Sequence, residues 1–198
     1  MVATVGPMRH STSLVWRTAA PDDAEAVARL HADSWRRLYR GAYADAFLDG
    51  DVVADRLAVW SARLAAPAGS VTVLAEDGPD LAGFVHVVLD EGGRWGSLVD
   101  NLHVTASRHR GGIGAELMAR AAQAVLAQAA TPTMYLWVLA QNTAAQGFYR
   151  AVGGVPVERG LVAPPGGVPQ RLHGAPAKLR FSWPDAAPLA ARLDAPPC

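Results

Sequence analysis

The chain has 198 residues, and 18 Lys plus Arg balance 18 Asp plus Glu, so no global field draws it to nucleic acid or to an anionic membrane. No stretch approaches the ~18 consecutive apolar residues of a membrane span, and the length suits one domain with an ample core. The only cysteine is Cys198, so no internal disulfide is possible; this fits a reducing cytosol, and a cytoplasmic location is expected.

In chain order, residues 1–13 read as a loose leader, and residues 14–183 as a single domain. A first strand is expected over 14–18. Pro21-Asp22-Asp23 then suits a helix start, with proline in the first turn and carboxylates at the positive end of the helix dipole. That helix runs through Ala24, Val27, Leu30, Trp35 and Leu38 to a break at Gly41. A turn of helix over 43–48 and a further helix over 52–64 follow. Residues 71–75 and 81–89 are paired strands about the turn Asp77-Gly78-Pro79-Asp80. With the connection at 90–93 they form an antiparallel meander that feeds a strand over 97–104.

A polar loop, 105–110, leads from this strand to Gly111-Gly112-Ile113-Gly114 and directly into a helix. The apolar residues Ile113, Leu117, Ala121 and Val125 recur at four-residue steps and keep one face toward a core. Strand, glycine loop and helix start in this order build an anion site, because glycines let amides crowd together and the helix terminus adds partial positive charge. A phosphate-bearing ligand is the natural guest. A strand over 134–139 and a short helix over 142–150 come next, ending near Gly153-Gly154. Strands over 155–158 and 178–183 flank a long loop containing Pro164-Pro165-Gly166-Gly167-Val168-Pro169, and the Ala- and Pro-rich residues 184–198 read as a frayed tail.

Val104, the Gly112-x-Gly114 turn, Asn142 and the Phe148-Tyr149 pair before Gly153-Gly154 resemble the GNAT N-acetyltransferase superfamily. The resemblance implies an α+β fold, a mostly antiparallel sheet of six or seven strands with helices on both faces. It also implies acetyl-CoA as cosubstrate, bound in a cleft between two splayed parallel strands. On that pattern the backbone near Leu102, His103 and Val104 holds the pantetheine arm. His109, Arg110, Gly111, Gly112, Ile113 and Gly114 form the phosphate turn, Asn142 holds the arm, and Tyr149 lies near the sulfur as general acid. The family carries Arg or Gln three residues before the first glycine of the turn, where this chain has His109 flanked by Arg108 and Arg110.

Several residues have two readings. Tyr149 is either the acid or a packing aromatic, and Asn142 either a cofactor ligand or the N-cap of its helix. For the base or a water-positioning group, Asp100 and His103 lie on the central strand, where alternation sends them to opposite faces; His31 and Glu76 are further candidates. The acceptor pocket is expected among His31, Trp35, Tyr39 and Tyr43, with Trp60 as another wall, since aromatic rings suit an amine cation. The six histidines show no paired ligand spacing, so no metal is expected. The expected acceptor is a primary amine of a small molecule or a protein, acetylated by direct transfer in a ternary complex, in a monomer or homodimer. A dinucleotide binder lacks the first glycine of its fingerprint. A non-catalytic acyl-CoA sensor on the same fold is the alternative.

Overall fold

Alternating side chains on the central strands divide the core into two layers. The computed structural model describes residues 14–194; the expected leader and residues 195–198 lie outside the described residues. The strands are β1 (Val15–Thr18), β2 (Ser70–Asp77), β3 (Asp80–Val88), β4 (Ser97–Val104), β5 (Met134–Leu139), β6 (Val155–Leu161) and β7 (Ala177–Trp183). The helices are α1 (Ala24–Leu38), α2 (Asp45–Leu48), α3 (Val52–Ala65), α4 (Ile113–Gln128), α5 (Thr143–Ala151) and α6 (Ala187–Ala190). One seven-stranded sheet has the order β1-β2-β3-β4-β5-β7-β6. Every neighbouring pair is antiparallel except β4 with β5, which are parallel and joined through α4.

Leu74 and Phe84 meet Val27, Leu30, Trp60 and Leu64, so α1 and α3 cover one face. Their strand neighbours Ala75 and Val85 point the other way, onto Ile113, Leu117, Ala121 and Val125 of α4. The start of α1 is fixed by Asp23, whose carboxylate accepts from the Ala20 amide at 2.7 Å and pairs with Arg17. Arg36 and Arg37 in the last turn oppose the dipole at the other end. Trp60, expected as a pocket wall, is fully buried in the α1–α3 layer.

The decisive irregularity lies in β4. His86 pairs with Asn101 and Val87 with Val99, so Asp100 is an extra residue with no partner on β3. A bulge of this kind reverses the side-chain alternation beyond it. Val99 therefore packs in the α4 layer, whereas Asn101 and His103 stand opposite His86 and Phe84 on the α1–α3 face. Asp100 turns to that face as well, ion-paired with Arg63 of α3 at 2.7 Å. Strict alternation had set Asp100 and His103 on opposite sides; the bulge brings them to the same side. At the same level β4 leaves β5. Only Ser97↔Met134 and Leu98↔Tyr135 are in register, and beyond them the two strands part.

The segment after Trp183, expected to fray, is ordered through residue 194. It turns into α6 and a further 3₁₀ turn, packs on α4, and buries Ala186 and Leu189 in the α4 layer. One leucine with small alanine neighbours suffices to dock it. At the far edge, β6 pairs only with β7 and steps over Val157 in a bulge beside Pro156.

The α5–β6 corner is set by close approach. Trp183 donates its indole N–H to the Val152 carbonyl at 3.0 Å, and a Cβ on Gly154 would lie 2.5 Å from that ring. Gly154→Ala should cost roughly 1–3 kcal/mol by overpacking, read as a lower urea midpoint with an unchanged slope. An unchanged midpoint would mean that the indole moves aside freely.

Candidate active site

The parted strands leave one edge of β4 free. Leu102, His103 and Val104 are laddered to Val85, Phe84 and Gly83 of β3, but no register pair joins them to β5. The C-terminal half of β5 is laddered only to β7, ending at Leu139↔Lys178. Backbone groups along both sides of this opening face a gap, and such groups need polar partners when a ligand covers them.

At the wide end of the gap, the chain leaves β4 through a 3₁₀ turn, Ala106–Arg108. Arg110 (φ 64°) and Gly112 (φ 84°) both take left-handed conformations, and Gly112 is the N-cap of α4. Among the described residues, the amides of Arg110, Gly112, Ile113 and Gly114 have no hydrogen-bond partner. A Cβ placed on Gly112 would meet nothing within 4 Å. Clustered free amides, open space and a 16-residue helix together fit a pyrophosphate. Gly111 is tied back by its amide to the Arg108 carbonyl at 3.4 Å, and Arg108 is ion-paired with Asp77. His109, though exposed, folds back on the strand, donating from Nε2 to the Val104 carbonyl at 2.9 Å. Its side chain thus braces the loop against β4, and the amides remain as the anion-binding element.

Tyr149, from α5, is buried beside Phe148, Phe181 and Trp183, with ring centres 5.3, 5.8 and 6.3 Å away. Its hydroxyl makes no hydrogen bond among the described residues. Burial pushes its pKa well up, and the nearby Tyr39 phenol adds to the effect, so Tyr149 is a protonated donor at neutral pH. The Asn142 carbonyl oxygen accepts from the Ala145 amide at 3.1 Å and caps α5; the capping reading holds, and its NH₂ group stays available.

On the α1–α3 face, Trp35, Tyr39 and Tyr43 form one aromatic cluster, with ring centres 5.7 Å (Trp35–Tyr39), 5.1 Å (Trp35–Tyr43) and 4.9 Å (Tyr39–Tyr43) apart. Burial, reinforced by Asp100, pushes the Tyr39 pKa up to about 12. The loop between β6 and β7 is pinned over this cluster by a Tyr43↔Leu172 bridge and by Ala44 N–H to the Arg171 carbonyl, 2.9 Å. His31 lies deeper, 1% exposed. Trp60 donates to its Nδ1 at 3.0 Å, which leaves the proton on Nε2, buried without a partner among the described residues. The His103 ring sits 4.6 Å from that of His31, its pKa pushed down by burial to about 4 and partly restored by Asp100. Glu76 is elsewhere, held by Arg17 beside Asp23 at the sheet edge.

The sequence reading missed the opposite wall. Trp137 and Tyr135 of β5 stand on the same face as Lys178 and Arg180 of β7. The Arg180 guanidinium lies 4.7, 5.0 and 4.5 Å from the ring centres of Trp95, Tyr135 and Trp137, and Lys178 Nζ lies 4.3 Å from that of Trp137. The available signal was the alternation Lys178, Arg180, Ser182 against Leu179, Phe181, Trp183. Among the described residues no cluster of three His, Cys, Asp or Glu suits a metal ion, and no helix is long and apolar enough to cross a membrane.

A gap of this kind leaves backbone groups of two strands open to a long, thin ligand laid between them. The profile of the acetyltransferase (GNAT) family matches residues 24–153, and the chain belongs to that family; it is an N-acetyltransferase. No curated protein matches the chain at a significant level. Among solved structures, it is similar to the paia N-acetyltransferase of Thermoplasma acidophilum in complex with coenzyme A (16% identity, TM-score 0.63, covering 86% of this chain and 99% of that one). It is also similar to yncA of Salmonella typhimurium with its cofactor acetyl-CoA (17%, 0.60, 86% and 92%). A third is Arabidopsis thaliana NAA60 with a bisubstrate analogue (18%, 0.60, 86% and 96%). At these identities the likeness is one of fold.

The buried histidines carry a pH signature. His86 and His103 both have pKa values pushed down to about 4, first of all by burial, against ~6.5 when unfolded. Their contribution to stability is complete above pH ~6.5 and is lost as pH falls toward ~4, because the unfolded chain binds the protons first. Each is worth on the order of 3 kcal/mol. The melting temperature should therefore fall steeply between pH 6.5 and 4, and His103→Asn should flatten that slope. An equal slope in the variant would mean that His103 protonates freely in the folded state.

Proposed function

We propose that the chain is an acetyl-CoA-dependent N-acetyltransferase that transfers the acetyl group directly to a primary amine of a small molecule or protein, in a ternary complex. The observation that carries this reading is the parting of β4 and β5 after two register pairs, with free amides at its wide end. Bound acetyl-CoA supplies an acetyl thioester. The amides of Arg110, Gly112, Ile113 and Gly114 would hold its phosphates, and the edge of β4 from Leu102 to the Val104 amide would hold the arm. In the reaction a C–N bond forms and the C–S bond breaks. Tyr149 Oη would give its proton to the departing sulfur, water on the Asp100–His103 side would take the proton the amine loses, and solvent would return a proton to Tyr149.

His103 is neutral at physiological pH and its low basicity suits passing a proton through water better than retaining it. Asp100, bound by Arg63, orients the incoming amine. Trp35, Tyr39 and Tyr43 provide the apolar flank, while His31 supports His103 from beneath.

CoA should raise the melting temperature by binding the native state. Gly112→Asp, which sets a carboxylate in the cradle, should abolish the shift; because position 112 is left-handed (φ 84°), the ligand-free variant should also melt somewhat lower, and the readout is the ligand-induced shift alone. A retained shift would put the cofactor elsewhere.

Tyr149→Phe keeps the ring and its contacts but removes the proton. We expect kcat to fall roughly 10²–10⁴-fold where proton transfer limits, with CoA-induced stabilisation unchanged. Thiol release at the wild-type rate would demote the phenol to packing and give its task to water.

A further inference from the structure

Most charged groups on the two walls beside the gap are paired with one another. On the α1–α3 side, Asp100 is bound by Arg63, and Asp55 is shared by Arg56 and Arg171. On the other wall, Arg180 is paired with Glu158 at 3.0 Å and wedged among three rings, and Glu91 accepts from the Tyr135 hydroxyl. Lys178 is different. It is half-buried on the same face as Trp137, and among the described residues its ammonium makes no ion pair or hydrogen bond; Glu158 acts on it only from a distance, being paired with Arg180. Its cross-strand neighbour Leu139 packs into the cluster of Trp35 and Tyr43, so Lys178 stands between the aromatic flank and the Trp137 wall. A Cβ on its other neighbour, Gly160, would lie 3.5 Å from the Trp137 ring and 3.9 Å from Lys178 Cε; glycine there leaves the two side chains room beside each other.

We propose that Lys178 binds a carboxylate carried by the acceptor, so that the preferred substrate is a primary amine bearing a carboxylate, an amino acid or a peptide acid, and not a polycation. Asp100 lies across the gap and receives the ammonium end of the same molecule. Opposite charges at the two ends thus fix the acceptor's direction, and Trp137 forms the floor between them. Burial lowers the Lys178 pKa and the neighbouring Arg180 adds to the effect, while Glu158 offsets it in part; an incoming carboxylate opposes the same two penalties. A polyamine would set its second cation against Lys178 and Arg180, where like charges repel.

This inference rests on the acetyl-transfer reading, and the experiment separates the two. Thiol release from acetyl-CoA is measured with α- and ω-amino acids, each beside its own carboxamide, and with spermidine. Carboxylates should exceed their amides in kcat/KM by roughly tenfold or more, the scale of a charge-assisted contact. Lys178→Met should bring that ratio close to one, through KM, and Lys178→Arg should restore much of it. Equal rates for acids and amides, spermidine as the best acceptor, no turnover with any carboxylate, or an acid-to-amide ratio unchanged in Lys178→Met would each overturn the proposal. Turnover of spermidine alone would leave acetyl transfer standing and remove only the acceptor class. Absence of both CoA stabilisation and thiol release would instead remove acetyl transfer itself.

Discussion

One inserted residue in β4 shapes the site. A parallel ladder needs evenly spaced donors and acceptors on both strands, and the extra residue at Asp100 breaks that spacing on β4 while β5 continues unbroken. The strands cannot stay in register beyond it, so they diverge from the level of Leu98 and Tyr135. The same residue reverses the faces, sending Asp100, Asn101 and His103 toward α1 and α3. Opening the sheet and supplying polar groups on one side of the opening are therefore a single event.

The rest of the fold keeps that opening from closing. On one side α4 crosses from β4 to β5 and buries Leu117, Met118 and Ala121, which anchors the start of the amide cradle to the core. On the other side, α1 and α3 carry Arg63 and the aromatic cluster, and the loop before β7 is strapped onto residues 42–44. A sheet that lacks ladder bonds at its centre remains standing because both layers pack across the defect, where core burial outweighs a few missing backbone bonds.

Most of the architecture was legible in the residues. The strands over 97–104 and 134–139 match to the residue, since runs rich in branched and aromatic side chains between polar turns have few other readings. The four-step apolar spacing of α4 and the acidic start of α1 were equally plain. The resemblance implied a bulge that splays the cofactor strand; what escaped was its place at Asp100. The bulge contains no glycine, and a polar Asp100-Asn101 pair in mid-strand was its only trace. Alternation counted across it therefore misplaced Asp100 relative to His103. The docked tail escaped because alanine and proline dominate its composition, although Ala186 and Leu189 bury it and the Ala186 amide bonds the Pro132 carbonyl. His109 in place of the family's Arg or Gln left the turn register open, and its bond to the Val104 carbonyl depends on a backbone path that composition does not encode. The Lys178–Arg180 wall was hidden because its parts come from strands far apart in sequence.

The outer strands bear on how the protein behaves when crowded. An open sheet has two rows of unpaired amides and carbonyls, each a template on which another chain can add. Here β1 is only four residues long, too short to seed a ladder. At the opposite edge, β6 exposes Val155, Val157 and Leu161, side chains that would otherwise favour stacking. Pro156 removes a donor from that row and the bulge at Val157 breaks its spacing. The apolar rim is thus denied a straight, continuous hydrogen-bonding edge, which guards the native chain against sheet-to-sheet aggregation.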